Sequence, residues 1–321
     1  MLSIMSTVKT LTIGHLSTVY HTSFILEGTD WLKNAGIDAR WKLFASGPDI
    51  VKAFENKEID LGYIGLPPVI IGRARGIPFK CIAGGHVEGT VMLAQKQFKN
   101  LGELGDIGQV LKQFEGSTMG TPPKGSIHDV IARDLAESLG LNIEIKNYAW
   151  ADFVLDALVE GEIPAAAGTP PLAVAARRFC GARIVVPPHK LWPNNPSYGI
   201  VAREELFSRP DVLTTFLEMH EKACNFIRED PYAASKIVAK LTEIVDPDFV
   251  LEAYRISPKY CSALSPQYVE STMRFVDVLR RMGYISRQVS EDEVFDRRFI
   301  DTVHPGAAHY SLPGNLYPLP F

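Results

Sequence analysis

The segment Asp49-Ile-Val-Lys-Ala-Phe-Glu-Asn-Lys-Glu-Ile-Asp60-Leu-Gly-Tyr-Ile-Gly65-Leu-Pro-Pro68 returns about a hundred residues later as Asp152-Phe-Val-Leu-Asp-Ala-Leu-Val-Glu-Gly-Glu-Ile163-Pro-Ala-Ala-Ala-Gly168-Thr-Pro-Pro171, a period far too long for a solenoid unit. Each copy reads as a helix, a tight turn, a short apolar strand, and then Gly-x-Pro-Pro opening another helix. Proline suits the first helical turn, where its missing N–H has no partner to lose. The repeat predicts two similar α/β lobes, each presenting a helix N-terminus just beyond the carboxyl end of a strand. Two such lobes face to face make a cleft lined by helix N-termini, whose unpaired N–H groups and positive dipole ends favour anionic groups. A generic helix–strand repetition explains less, because the glycine and both prolines recur in matching positions.

The rest of the chain fits that frame. Strand-like segments at 10–16, 38–45, 60–65 and 78–84 alternate with helical stretches at 22–35, 48–57 and 67–75, the pattern of an α/β fold with a largely parallel sheet. From residue 210 the pattern turns helical, over 210–229, 231–242, 247–256 and 266–283, and the Pro- and Gly-rich 305–321 reads as an extended tail packed on the surface. With 321 residues, 46% hydrophobic and 22% charged, the chain can bury an ordinary core in two modest domains. Its net charge of -4 comes from acidic and basic residues mixed along the sequence, without the basic excess of a nucleic-acid binder. No segment is long and apolar enough to span a bilayer. Residues 1–10 show neither a signal-peptide apolar run nor a lipid-attachment cysteine; as written the sequence reads as cytoplasmic, and as periplasmic or cell-surface if its start is truncated. Cys81, Cys180, Cys224 and Cys261 are widely spaced and read as interior thiols, not as a zinc or disulfide framework.

Candidate binding residues follow from where strands end and helices begin. After the first strand, Ser17, Thr18 and Thr22 offer hydroxyls, Tyr20 a stacking face and His21 a ring donor; a bare helix cap at Thr18 or Thr22 is the plainer alternative. Ser46 and Gly47 follow the second strand and supply a hydroxyl and backbone N–H groups, a role compatible with capping the helix at 48–57. Gly65, Leu66 and Pro67 bring backbone close to a ligand, and Gly168, Thr169 and Pro170 repeat the arrangement with an added hydroxyl. The sharpest anion site is Thr121-Pro-Pro-Lys124-Gly125-Ser126. There an anion would rest against the amides of Gly125, Ser126 and Ile127, unless Ser126 serves only as an N-cap. This is not a P-loop, since the spacing and the Lys-Ser/Thr ending are absent. His86 and Glu88 are placed either to pair across the cleft or to serve structure, and Trp192, Asn194, Asn195 and Tyr198 to wall the site.

Several of these segments, taken together, carry a resemblance. Gly36-Ile-Asp38, Phe44-Ala-Ser-Gly-Pro48, the run from Lys57 to Pro68, Arg75-Gly-Ile-Pro78, and Thr121 to Ser126 leading into a helix from Ile127 to Leu139 with Gly140-Leu141 behind it resemble the nitrate/sulfonate/taurine-type substrate-binding proteins of ABC transporters. Met282-Gly-Tyr-Ile285 and Asp296 fit the same family's terminal helices, and the likeness covers nearly the whole chain. It implies an α/β, two-lobed type II periplasmic-binding-protein fold, one lobe from 8–90 plus 197–321 and the other from 91–196. Crossings near Thr90-Val91 and Pro196-Ser197 would form the hinge. It further implies a monomer that captures a small anionic molecule for an ABC permease and needs no cofactor. The same fold also resembles cytoplasmic enzymes, the thiamine-pyrimidine synthases and the aromatic acid decarboxylases or desulfinases, and such an enzyme is the alternative reading.

Signatures of catalysis are weak. The sequence has no Gly-x-Ser-x-Gly elbow, no dinucleotide glycine fingerprint, and no His, Cys or Glu grouping with metal-ligand spacing. His304 and His309 fall in the Pro/Gly-rich tail and read as surface residues. The desulfinases place a reactive cysteine in the loop after the first strand, and residues 15–22 contain none; the cysteine cluster of the thiamine-pyrimidine synthases is missing too. The expectation is a binding protein without catalytic residue, metal or cofactor, with His21 keeping the enzymatic alternative open.

Overall fold

A computed structural model describes residues 9–311. The first sheet comprises β1 (Lys9–Leu16), β2 (Ile37–Phe44), β3 (Leu61–Ile64), β4 (Phe79–Val87) and, from late in the chain, β10 (Pro196–Arg203), in the order β2-β1-β3-β10-β4. The second comprises β5 (Val91–Ala94), β6 (Thr118–Thr121), β7 (Glu144–Asn147), β8 (Ala165–Gly168) and β9 (Arg183–Val186), in the order β7-β6-β8-β5-β9. These are one pattern used twice. In each sheet the first three strands are parallel, the fourth is antiparallel to its neighbours, and the fifth restores the original sense. The antiparallel strand is in both cases the one that enters from the other lobe, β5 after β4 and β10 after the second sheet is complete. The sheets are therefore mixed where the sequence pattern predicts largely parallel ones, because each crossing inserts a strand of opposite sense.

Local sequence accounts for the elements. Leu61-Gly-Tyr-Ile64 and Ala165-Ala-Ala-Gly168 are buried along their whole length, as central strands covered on both faces must be, while in the edge strand β2 only Ile37 is buried and the rest is half-buried or exposed. Helices Pro210–Glu229, Pro231–Thr242, Pro247–Ile256 and Pro266–Arg281 each open on proline, and Asp230, Asp246 and Ser265 cap the last three of them by accepting a backbone N–H. The single helix expected over 22–35 is instead two short ones, Ser23–Glu27 and Trp31–Asn34. Helix Pro231–Thr242 packs so closely there that a Cβ on Gly28 would stand 2.6 Å from Ile237 Cγ2. The late helices return to the first lobe, and Pro247–Ile256 also packs against Pro170–Cys180 of the second, where Arg178 and Asp246 pair at 2.7 Å. The tail read as 305–321 is described to residue 311. Within it Tyr310 is buried, its hydroxyl donating to Cys261 O and Ala263 O at 2.8 and 2.9 Å. Residues 1–8 and 312–321, including most of the segment read for a leader, lie outside the described residues. Among the described residues no helix is long and apolar enough to cross a membrane.

The two crossings hold each other. Glu88 N donates to Asn195 O at 2.8 Å, Asn194 N donates to Glu88 Oε1 at 3.0 Å, and Lys259 pairs with Glu88 Oε2 at 2.7 Å. Glu88 and Asn194 both have positive φ, 63° and 57°, a conformation that side-chain-bearing residues adopt only where surrounding contacts enforce it. Glu88 thus binds the opposite crossing and Lys259, so the pairing with His86 across the cleft does not occur.

Candidate functional site

Strand ends from both lobes converge on one cavity. Ser17, Thr18, Tyr20 and His21 reach it after β1, Ala45, Ser46 and Gly47 after β2, and Gly65 and Pro68 after β3. From the second lobe come Pro122, Ser126, Ile127 and His128 after β6, Ala151, and Thr169 after β8, while Ser197 of β10 closes the floor at a crossing. A second cavity shares Ser17, Thr18, Ala151 and Thr169 and runs on past the Asp152 carboxylate to an apolar wall of Leu155, Leu172, Val245 and Phe249. The inner space is about 50 Å³ and the outer about 110 Å³. No Asp, Glu, Lys or Arg lines the inner cavity.

Helix N-termini supply what charged side chains do not. Ser46, Gly65, Ser126 and Thr169 are the caps of helices Gly47–Glu55, Leu66–Ala74, Ile127–Ser138 and Pro170–Cys180, and all four line the cavity. Each N-terminus carries the equivalent of roughly +0.5 charge, so together they can balance about one to two negative charges. Direct N–H donors are scarcer than the repeat suggests. Pro48, Pro67, Pro68, Pro170 and Pro171 have none, and the amides of Asp49, Asp129 and Leu172 are taken by the capping hydroxyls of Ser46, Ser126 and Thr169 at 3.3 Å each. Gly47, Leu66 and Ile127 keep first-turn amides without an intrahelical acceptor.

The Gly125–Ser126 turn is not the open anion hole that its sequence suggests. Gly125 N donates to Asp129 Oδ2 at 2.9 Å and Ser126 N to Pro123 O at 3.0 Å. Asp129 is fully buried and also accepts from Arg133 Nε at 2.8 Å, Asn147 Nδ2 at 2.7 Å and the Tyr284 hydroxyl. The protein's own carboxylate therefore occupies the place proposed for an external anion. Gly125 does not reach the cavity, and of the three amides only that of Ile127 remains.

Two polar atoms are left without a partner at the cavity. Thr18 Oγ1 and His21 Nδ1 are buried and bonded to nothing in the protein, an arrangement rare enough in native interiors to need an explanation. The His21 ring lies against Tyr198, centroids 4.1 Å apart. Burial first, then the neighbouring His15, His86 and His128, push its pKa well below the ordinary value, so it is neutral. His128 faces it from the second lobe, bonded through Nδ1 to Thr90 Oγ1 at 3.0 Å and pushed down by burial to about 4. The cavity thus offers neutral rings and hydroxyls under several positive dipole ends.

Residues 6–243 match the model of the NMT1-like family. The chain belongs to that family. It is 23% identical to a Bacillus subtilis (strain 168) protein named for binding aliphatic sulfonates, over 84% of this chain and 80% of the relative. Its fold matches the alkanesulfonate-binding protein SsuA from Xanthomonas axonopodis pv. citri bound to MOPS, with a TM-score of 0.74 and 18% identity over 90% of this chain and 98% of that one. The periplasmic nitrate-binding protein NrtA from Synechocystis PCC 6803 matches with a TM-score of 0.74 and 13% identity over 92% and 88% of the two chains. The resemblance to nitrate/sulfonate-type binding proteins and the two-lobed type II periplasmic-binding-protein fold are thereby established.

In this NMT1-like protein the cavity brings together Ser17, Thr18, Tyr20, His21, Ser46, Gly47, Gly65, Ser126, Ile127 and Thr169. Leu66, Pro67, His86, Thr121, Gly125, Gly168 and Asn195 lie outside its lining. His86 sits behind the floor with Nε2 2.6 Å from Ser257 O and Nδ1 3.0 Å from Ser197 Oγ, leaving neither nitrogen for a ligand. Thr121 Oγ1 donates to Pro122 O and accepts from Asn147, and the buried Asn195 carboxamide has no partner. Trp192 stacks on Phe275 at 4.0 Å, and the Tyr198 hydroxyl bonds Thr22, so both serve the interior and not the wall. Sequence reasoning missed Leu16, Ala45, Pro68, Pro122, His128, Ala151 and Ser197. Of these His128 was the most legible, in the first turn behind the Ser126 cap. His304 and His309 are not the surface residues expected, since their side chains are only 4% and 27% exposed.

Proposed function

We propose that this protein is a solute-binding protein that closes its two lobes on a small monoanion of low basicity carrying an apolar part, an organic sulfonate being the best match, for delivery to an ABC-type importer. One observation carries the reading: a cavity free of charged side chains, into which four helix N-termini from both lobes converge around the unpartnered Thr18 hydroxyl and His21 ring. Such a site can hold about one negative charge by dipoles. With few N–H donors it suits an anion whose charge is spread over several weakly basic oxygens, while the apolar wall toward Val245 and Phe249 suits a short alkyl group. The names of the relatives, aliphatic sulfonates and nitrate among them, point the same way. Among the described residues we assign 9–90 plus 197–311 and 91–196 to the two moving bodies. The inner cavity, about 50 Å³, has room for a few water-sized groups, so entry of an alkyl sulfonate requires the lobes to part at the crossings. Binding is favoured over catalysis because the cavity hydroxyl that does meet a base, Ser197 Oγ on His86 Nδ1, also accepts the Gly89 amide, and burial lowers the His86 pKa to about 3, too weak a base to activate it.

Calorimetric titration with propanesulfonate, taurine and nitrate tests this, with mass analysis of the recovered ligand. The expected result is saturable binding of one sulfonate per chain, the ligand recovered unchanged, and affinity about 10- to 100-fold lower in His21→Ala, the range for one hydrogen bond to a charged group. Failure of every anion to bind, or recovery of a ligand of altered mass, overturns the proposal.

A further inference from the structure

Outside the cleft, the tail beyond residue 303 folds back onto the loop around Cys261. Cys261 Sγ lies 3.5 Å from His304 Nε2 and 3.9 Å from His309 Nδ1, and those two nitrogens are 3.3 Å apart. Glu221, on helix Pro210–Glu229, brings Oε1 to 3.8 Å from His304 Nε2 and 3.9 Å from His309 Nδ1. A thiol, two imidazole nitrogens and a carboxylate oxygen thus face one point, drawn from three places in the chain. A zinc ion with Zn–S of about 2.3 Å and Zn–N of about 2.0–2.1 Å in tetrahedral geometry needs N–N edges near 3.3 Å and S–N edges near 3.6 Å. The Cys–His–His triangle has those dimensions, and a small movement of the Glu221 side chain closes the fourth corner.

The surroundings hold these atoms in a metal-binding attitude. Ser262 donates through its hydroxyl and amide to Glu221 Oε2, turning Oε1 toward the histidines. The amides of His309 and Ala263 donate to Cys261 Sγ at 3.2 and 3.5 Å, the second-shell bonds that stabilise a coordinating thiolate. The Tyr310 hydroxyl ties the tail to the carbonyls on either side of Ser262. A surface depression lined by Ser265, Asp301, His304 and Gly306 gives access. We propose that Cys261, His304 and His309, completed by Glu221, form a structural site for a zinc-class divalent ion that fastens the tail to the first lobe. All four positions are filled by protein, the closed arrangement of a structural rather than catalytic centre.

The test uses the full chain. Purified from zinc-replete cells without chelator, it should carry one zinc per chain by elemental mass spectrometry. The metal-free chain loaded with Co²⁺ should show the intense visible bands of a tetrahedral ion and a near-ultraviolet thiolate charge-transfer band. Cys261→Ser should abolish that band, and both Cys261→Ser and His309→Gln should weaken zinc binding, measured against a competing chelator, by roughly 100-fold or more. Cys180→Ser, outside the cluster, should leave it unchanged. The wild-type Co²⁺ spectrum decides the matter even if a variant misfolds. A six-coordinate spectrum without the thiolate band, or zinc affinity unchanged in Cys261→Ser and His309→Gln, overturns the proposal.

Discussion

Asp129→Asn isolates the most tightly built polar feature beside the cleft. The wild-type carboxylate accepts Gly125 N and the Tyr284 hydroxyl on Oδ2, and Arg133 and Asn147 on Oδ1. Asparagine keeps one acceptor oxygen but turns an NH₂ toward two of the donors, so two charge-assisted bonds are lost. At about 1.5–3 kcal/mol each the loss is about 3–6 kcal/mol, close to the range for breaking a buried charged network. Arg133, with 28% of its side chain exposed, can turn to water and draws the figure toward the lower end. At roughly 2–4 °C per kcal/mol for a large domain, melting followed by circular dichroism should drop by roughly 6–12 °C. Binding separates this account from the anion-hole reading. If Asp129 fills the Gly125 amide permanently, Asp129→Asn changes sulfonate affinity little. If an external anion competes for that amide, removing the carboxylate charge should strengthen binding by at least about tenfold, a change of 1.4 kcal/mol. A melting shift under about 2 °C, or such a gain in affinity, refutes the reasoning.

Ser197→Ala leaves the Gly89 amide and His86 Nδ1 without their partner at the crossing, and should cost about 2–4 kcal/mol in urea unfolding; a loss under about 1 kcal/mol would show that the crossings are not held there. In Gly85→Ala the new Cβ would stand 2.1 Å from the buried Tyr198 ring, so overpacking should cost about 1–3 kcal/mol or more, read as a lowered urea midpoint, and an unchanged midpoint would mean that the ring moves freely. Acid should destabilise the fold well above the carboxylate range. Burial holds His15, His128 and His220 at about 4 and His86 at about 3, against an ordinary 6.5. Below pH 6.5 the unfolded chain therefore takes up protons that the folded chain refuses. Stability, complete above that pH, then falls as pH drops toward 4, by up to about 1.4 kcal/mol per pH unit for each histidine. Urea midpoints equal at pH 7 and pH 5 would contradict this.

Most of the fold was legible because its signals are local. Proline at the helix starts, a capping Asp or Ser in front of it, and short all-apolar strands each fix an element from a few neighbouring residues. What escaped the sequence depends on distant partners. Ser126-x-x-Asp129 is visible as a capping pair. That the aspartate turns to Gly125, and is met by Asn147 and Tyr284, follows only from packing. The double prolines that mark the repeat also strip it of N–H donors, which the sequence does contain and which lowers the count of anion contacts. Glu221, Cys261, His304 and His309 carry no motif spacing, since helix, loop and tail each contribute separately.

The hydrogen bonds at the base of the crossings can be given a direction. Ser257 O can only accept, so His86 Nε2 at 2.6 Å must carry the proton. The neutral ring, kept so by burial, then has Nδ1 free to accept, and Ser197 must donate to it. That fixes the remaining capacity of the Ser197 oxygen as acceptor, which the Gly89 amide uses. The chain of bonds runs one way, from the first crossing through β10 and β4 into the returning C-terminal segment. Protonating His86 would reverse its middle link at once. Because Ser197 also lines the cavity, this chain ties a cavity hydroxyl to the base of the crossings. Ser197, His86 and Ser257 hold that base, next to Glu88 and Asn194, whose positive φ is held by the bonds between the crossings.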